Sequence, residues 1–233
     1  MLRRSWYWKG DTQIAASDGI ILVVIKFSIG GNLRFLSHAE TLKLFQRACA
    51  RAGIKIRYSQ GFNPRPKLSL PLPRSVGVEA DDDLLCIKVE SPAPWSETKQ
   101  FKARLSGQLP DGCELLEVRA AEAKTSFQPL AATYILAVRP EHVNKELKNR
   151  IKRLLASESL NIQRRINARA NTRNADVRPF LKSIEFDDRN ILVECKISLA
   201  GSIRVEEILT LLELDVEKLA VPVRRTSVQW QTN

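Results

Sequence analysis

Residues 20–58 read IILVVIKFSIGGNLRFLSHAETLKLFQRACARAGIKIRY, and the fold follows from this stretch. Residues 20–29 are apolar and largely β-branched, and Gly30-Gly31 closes them off, the pattern of a buried strand ending in a turn or bulge. Ser37-His38-Ala39-Glu40 is a capping box, in which the serine hydroxyl and the glutamate carboxylate satisfy each other's end of a helix start. Leu42, Phe45, Ala48, Cys49 and Ala52 follow at helical spacing, and Gly53 stops the helix. Residues 54–58 alternate again and read as a short strand. The opening unit is therefore β-α-β.

Working outward, residues 67–72 are extended, because the prolines around them disfavour helix. Residues 84–89 read as a strand. A helix follows Pro94 with Phe101, Leu105 and Leu109 on one face, and residues 114–119 close the half as a strand. The order then recurs. Residues 134–138 are a strand, and residues 140–156 a helix with Val143, Leu147, Ile151 and Leu155 on its stripe. Residues 160–166, 180–186 and 191–197 are strands, 204–214 a helix and 223–228 a final strand. Each half reads β-α-β, an extended insertion, β, α, β. That order predicts an α+β protein of two tandem ferredoxin-like (split βαβ) subdomains with antiparallel sheets, at residues 20–120 and 132–230. Right-handed crossovers would place the helices on one sheet face. Residues 121–131 are the expected linker, and residues 1–19 an N-terminal extension expected to be disordered.

The chain has 233 residues and a formal net charge of +11. A field of that sign attracts nucleic acid or other polyanions. The longest apolar run, 19–25, is far shorter than the roughly 18 residues a membrane helix needs. Residues 1–18 lack the apolar core and cleavage site of a signal peptide, so the cytoplasm is the expected compartment. Cys49, Cys86, Cys113 and Cys195 form no CxxC pair and read as buried small hydrophobes. With two histidines, His38 and His142, no metal site is expected, and without a glycine-rich phosphate loop no cofactor is. Asp81-Asp82-Asp83 reads as solvated, and Glu206-Glu207 as first-turn helix acidity.

Positive charge is concentrated in two tracts. Residues 34–74 hold nine bases and one acid, and residues 139–178 hold eleven bases and four acids. They fall at corresponding places in the two halves, so they would line one groove if the halves pack as repeats. The turn 58–67, YSQGFNPRPK, mixes aromatic, amide and cationic side chains on a chain stiffened by two prolines. Arginine forks and amides suit phosphate oxygens and base edges, and aromatic rings can stack on unpaired bases. The expected RNA-binding set is Arg34, Arg47, Arg51, Tyr58, Phe62, Asn63, Arg65, Lys67, Arg164, Arg165 and Arg178. Phe35 is expected to plug the core, and Lys145, Lys148 and Lys152 to be ordinary surface lysines.

Arg34-Phe35-Leu36-Ser37-His38, Gln46-Arg47-Ala48, Tyr58-Ser59-Gln60-Gly61-Phe62-Asn63-Pro64 and Gly77-Val78-Glu79 together resemble the bacterial "radical SAM-linked" domain, a domain of unknown function. Asp176-Val177-Arg178-Pro179-Phe180 and Arg224-Arg225-Thr226 resemble its distal motifs. That domain often shows aspartate where this chain has Glu40 and histidine where it has Arg65, which weakens a catalytic role for either position. The chain lacks the CxxxCxxC ligands of a radical SAM cluster, so the resemblance implies work beside a separately encoded radical SAM enzyme. The expected function is a non-catalytic RNA-binding accessory module holding a structured RNA, tRNA or rRNA, in a basic groove. Two alternatives stand. One is a metal-independent endoribonuclease using His38, Tyr58 and Lys67, and the other a protein adaptor without RNA contact.

Overall fold

The computed structural model describes residues 19–90, 98–165 and 172–233; residues 1–18, where the N-terminal extension is expected, lie outside these. The strands are β1 (Ile20–Ile29), β2 (Leu68–Ser69), β3 (Glu79–Glu90), β4 (Cys113–Glu122), β5 (Phe127–Ala137), β6 (Asn161–Arg165), β7 (Thr172–Asp176), β8 (Leu181–Asp187), β9 (Asn190–Lys196) and β10 (Arg224–Thr232). The helices are α1 (His38–Arg51), α2 (Thr98–Ser106), α3 (Lys145–Ala156) and α4 (Val205–Leu212). The fold is α+β, with a mostly antiparallel main sheet ordered β4-β1-β3-β10-β5-β9-β8 and β2 paired beside β3. The exception is β10, which runs parallel to β3 at Arg224–Glu79 and Arg225–Ala80 while pairing antiparallel with β5.

The apolar run of β1 lacks alternation because both of its faces are buried. Val23, Ile25 and Phe27 join one core with Phe45, Ala48 and Cys49 of α1 and Leu105 of α2. Leu22 and Val24 face the other way, with Leu84, Cys86 and Ala121, and are covered by Phe127 and Trp230 from the far ends of β5 and β10. A separate core lies under α3 and α4, where Leu147, Ile151, Ile208 and Leu212 meet Leu136, Ile191 and Val193. All four cysteines are buried and free, as their neighbours in sequence implied.

Local chemistry accounts for the element ends. The capping box at α1 is formed: Ser37 Oγ accepts from Glu40 N, and Glu40 Oε2 accepts from Ser37 N at 2.8 Å. At the C-terminal end of β1, Gly30 N donates to Gly112 O at 2.8 Å, and a Cβ on Gly112 would sit 2.8 Å from Gly30 O. With φ at +88°, position 112 is reserved for glycine on both counts.

Four expected elements differ. Residues 54–58 are not a sheet strand. Ile56 bridges Val89, but Tyr58 pairs with Pro66 and the chain leaves the sheet as a hairpin, since proline has no N–H to extend a ladder. Residues 160–166 do not enter the main sheet either: β6 pairs with β7 as a separate two-stranded ribbon. The sequence Asn161-Ile162-Gln163-Arg164-Arg165 offers a single apolar side chain and so no face to bury. The helix expected over 140–156 is a 3-10 turn at Pro140–His142 followed by α3, because Asn144 caps the new start by accepting from Leu147 N at 2.9 Å. Residues 121–131 comprise the end of β4, a turn in which Thr125 N donates to Glu122 O, and the start of β5.

Candidate nucleic-acid interface

The two halves meet at a buried ionic cluster. Arg225 of β10, with 2% of its surface exposed, donates to Asp83 Oδ1 at 2.6 and 3.1 Å and to the carbonyls of Leu72 and Pro73. Arg74 lies against the other oxygen of Asp83 at 3.9 Å and donates to the Arg34 and Val78 carbonyls. The triplet Asp81-Asp82-Asp83 is therefore not simply solvated, since alternation along β3 puts Asp83 on the same face as Leu85 and Ile87, where it is buried. These bonds fix residues 72–78 and the turn 31–35 against the sheet. Glu79 adds to them by accepting from Gly31 N at 3.0 Å. In Gly77-Val78-Glu79, Gly77 N also donates to Arg34 O, so this motif holds the scaffold together.

The hairpin 57–67 stands on the edge of β3. Arg57 N donates to Lys88 O, Lys88 N to Lys67 O, Lys67 N to Arg57 O and Ser59 N to Arg65 O. Arg65 N also donates to Ser59 Oγ at 2.9 Å. Gly61, at φ +121°, turns the tip in a conformation that favours glycine. Phe62 sits beyond it, fully exposed, and Asn63 beside it is exposed as well. Tyr58, at the hairpin's base, is 44% exposed.

Between this hairpin and α1 lies an open concavity of about 660 Å³, walled by Lys43, Gln46, Arg47, Lys55, Tyr58 and Glu90. A second, of about 740 Å³, flanks the other side of α1 and is lined by Lys43, Arg47, Arg51 and Gln108. Lys43 and Arg47 border both. Arg51 is held toward the second by bonds to the Gln108 side chain and carbonyl. Lys43 and Lys55 were absent from the expected set. The four-residue spacing of Lys43, Arg47 and Arg51, which puts them on one helix face, was the available signal.

The expected residues divide by what their side chains already do. Arg47, Arg65 and Lys67 make no side-chain hydrogen bond or ion pair among the described residues. Arg34 donates to Gly31 O at 2.7 Å and lies 4.2 Å from the Phe35 ring centre. Phe35 is 55% exposed and does not plug the core. Arg164 is committed to Glu207 at 2.7 and 2.8 Å and to Ser202 O, so Glu207 is a buried partner rather than free helix acidity. Arg178 spends its guanidinium on the carbonyls of Leu155, Ser157 and Leu181. The Arg165 side chain lies outside the described residues. Lys145, Lys148 and Lys152 are exposed on α3.

The two basic tracts sit over different cores, α1 over the β1–β3–β4 side and α3 beside α4 and β8. Of the expected set, the structure brings Arg47, Arg51, Tyr58, Phe62, Asn63, Arg65 and Lys67 onto α1 and its neighbouring hairpin. Tyr58 and Lys67 share that hairpin, whereas His38 begins α1 and lines neither concavity. Burial pushes the Cys49, Cys86, Cys113 and Cys195 thiols up to about 12, which removes them as nucleophiles. Among the described residues no group of three or more His, Cys, Asp or Glu could hold a metal, and no helix is long and apolar enough to cross a membrane.

A family model covers residues 23–210. The chain belongs to DUF2344, described as an uncharacterized protein conserved in bacteria. In this DUF2344 chain the matched region takes in the seam cluster's Arg74 and Asp83, α1, the hairpin 57–67 and the ribbon β6–β7. No curated protein matches it. Among solved structures it is similar to the acetolactate synthase small subunit from Thermotoga maritima, at 10% identity and a TM-score of 0.25, over 92% of this chain and 97% of that one.

Proposed function

We propose that this DUF2344 protein is a non-catalytic RNA-binding accessory module. It would hold the phosphates of a structured RNA, a tRNA or rRNA, against α1 and the hairpin 57–67. One observation carries the reading. Arg47 lines an open concavity and Arg65 and Lys67 stand on the adjoining hairpin, all three without a side-chain partner among the described residues, and the hairpin's tip carries the fully exposed Phe62. Like charges held together without counter-charges repel, and a polyanion relieves that repulsion. Arg164 and Arg178, engaged within the protein, drop from the contact set and act as struts. A separately encoded radical SAM enzyme as working partner rests on the motif resemblance, and the cytoplasm as compartment on the sequence.

The same reading treats the halves as tandem ferredoxin-like subdomains. Strand orders of β4-β1-β3-β2 and β10-β5-β9-β8 support it, as does a hairpin inserted after the first helix of each half.

Binding of bulk tRNA, followed by filter retention across a salt series, tests the reading. With Arg51 beside them on α1, the four cations releasing counterions give a slope of log K against log salt of about −3. Replacing Arg47, Arg65 and Lys67 together by alanine should flatten that slope by about 2 and weaken binding about tenfold or more at low salt. Binding that is absent, or indifferent to salt, overturns it.

A further inference from the structure

We infer that the hairpin 57–67 is a stacking prong, and that its ligand is RNA carrying an unpaired nucleotide rather than a continuous duplex. This rests on the RNA reading above and narrows its substrate class. Phe62 is fully exposed at the apex. An aromatic ring left wholly in water adds nothing to the stability of the fold, yet the chain beneath it is built to hold it out. Backbone bonds tie Arg57 to Lys67 and Ser59 to Arg65, the Ser59 hydroxyl takes a further one from Arg65 N, and Pro64 and Pro66 stiffen the returning arm. A ring positioned this way loses little entropy on contact.

The ring's chemistry selects the ligand. Every base has a π-face, and one that is already unstacked can take an aromatic side chain at no cost in pairing. A base inside a duplex must first be unpaired and unstacked, which costs a few kcal/mol. The deep, narrow major groove of A-form RNA also keeps side chains from its base edges. The surroundings fit a nucleic acid better than an apolar protein pocket. The hairpin carries Arg65 and Lys67 on the arm behind the ring and Asn63 beside it, and Arg47 faces the adjoining concavity. Cations and an amide are what the phosphates and edge of a splayed nucleotide require.

The test uses the full chain and two synthetic RNAs, a blunt duplex and the same duplex with one bulged 2-aminopurine. Anisotropy gives the affinities and 2-aminopurine fluorescence reports stacking. The wild-type protein should prefer the bulged RNA and change its fluorescence. Phe62→Ala should weaken binding to the bulged RNA by between about five- and 150-fold, the range of base–aromatic stacking, and leave duplex binding within about twofold. Phe62→Trp should keep the preference. Because Phe62 buries nothing, an unchanged thermal midpoint in each variant verifies folding. Equal effects of Phe62→Ala on both RNAs would overturn the prong and make the ring a general RNA contact, and no effect on either would overturn it and direct the bare ring to a protein partner, each leaving the phosphate reading intact. Loss of binding to both RNAs in the wild type would overturn the two readings together.

Discussion

Arg225 and Asp83 are 142 positions apart, and each would be a liability without the other. Removing Asp83 leaves two guanidinium groups, Arg225 and Arg74, buried with carbonyls and the Tyr134 side chain but no counter-charge bonded to them. Breaking a buried pair from one side costs about 3–5 kcal/mol, whereas exchanging both partners for apolar groups is often neutral. Asp83→Ala should therefore lower unfolding stability by that amount in urea titration, and Asp83→Leu with both Arg225→Met and Arg74→Met by much less. A loss below about 1 kcal/mol for Asp83→Ala would mean that water reaches the cluster. No local pattern in the sequence announces this pair. The three adjacent aspartates look alike, and the one that matters is picked out by β10, which brings Arg225 to it from far along the chain. Arg47 and Arg164 teach the same lesson. They are identical in kind and in basic surroundings, yet Arg47 has no side-chain partner among the described residues and Arg164 is held by Glu207, 43 positions away.

Among the elements, α1 was the most legible, because every determinant of a helix is local: its cap, its stripe and its stop. Its start can be tested alone. Ser37→Ala removes the acceptor for Glu40 N and should cost about 1 kcal/mol in the same titration, with the α1 contacts otherwise kept. No measurable change would show that Glu40 and solvent satisfy that end unaided. The hairpin 57–67 was legible as a presented turn, since Gly61, Pro64 and Pro66 dictate backbone angles directly. The ribbon β6–β7 was misplaced, because alternation in a polar segment marks extended chain without naming its partner strand. Residues 54–58 failed similarly: Ile54 and Ile56 promise a sheet strand, and the proline that ends the ladder is ten positions downstream of Ile56.

For the whole molecule, an α+β protein with mostly antiparallel strands could be read from periodicity, but the place of β10 between β3 and β5 could not. Sheet order depends on pairings between distant segments, and β10 gains its place partly from the buried charge it carries. The burial that this architecture gives the four cysteines has a direct check. None should react with a thiol-specific disulfide reagent at about pH 8 until denaturant is added, since a thiol pushed up to about 12 holds almost no thiolate there. Prompt labelling of any of them in the native protein would show that a core opens on that timescale.

β10 is the last strand of the sheet in chain order and sits between β3 and β5. A ribosome still reading the codons before Arg224 has thus released two partial sheets with raw, unpaired borders and an Asp83 still waiting for its counter-charge. Such borders recruit other chains and proteases. A chain cut short before Arg224 would therefore yield a product that cellular quality control can recognise, although nine of the ten strands described had been made.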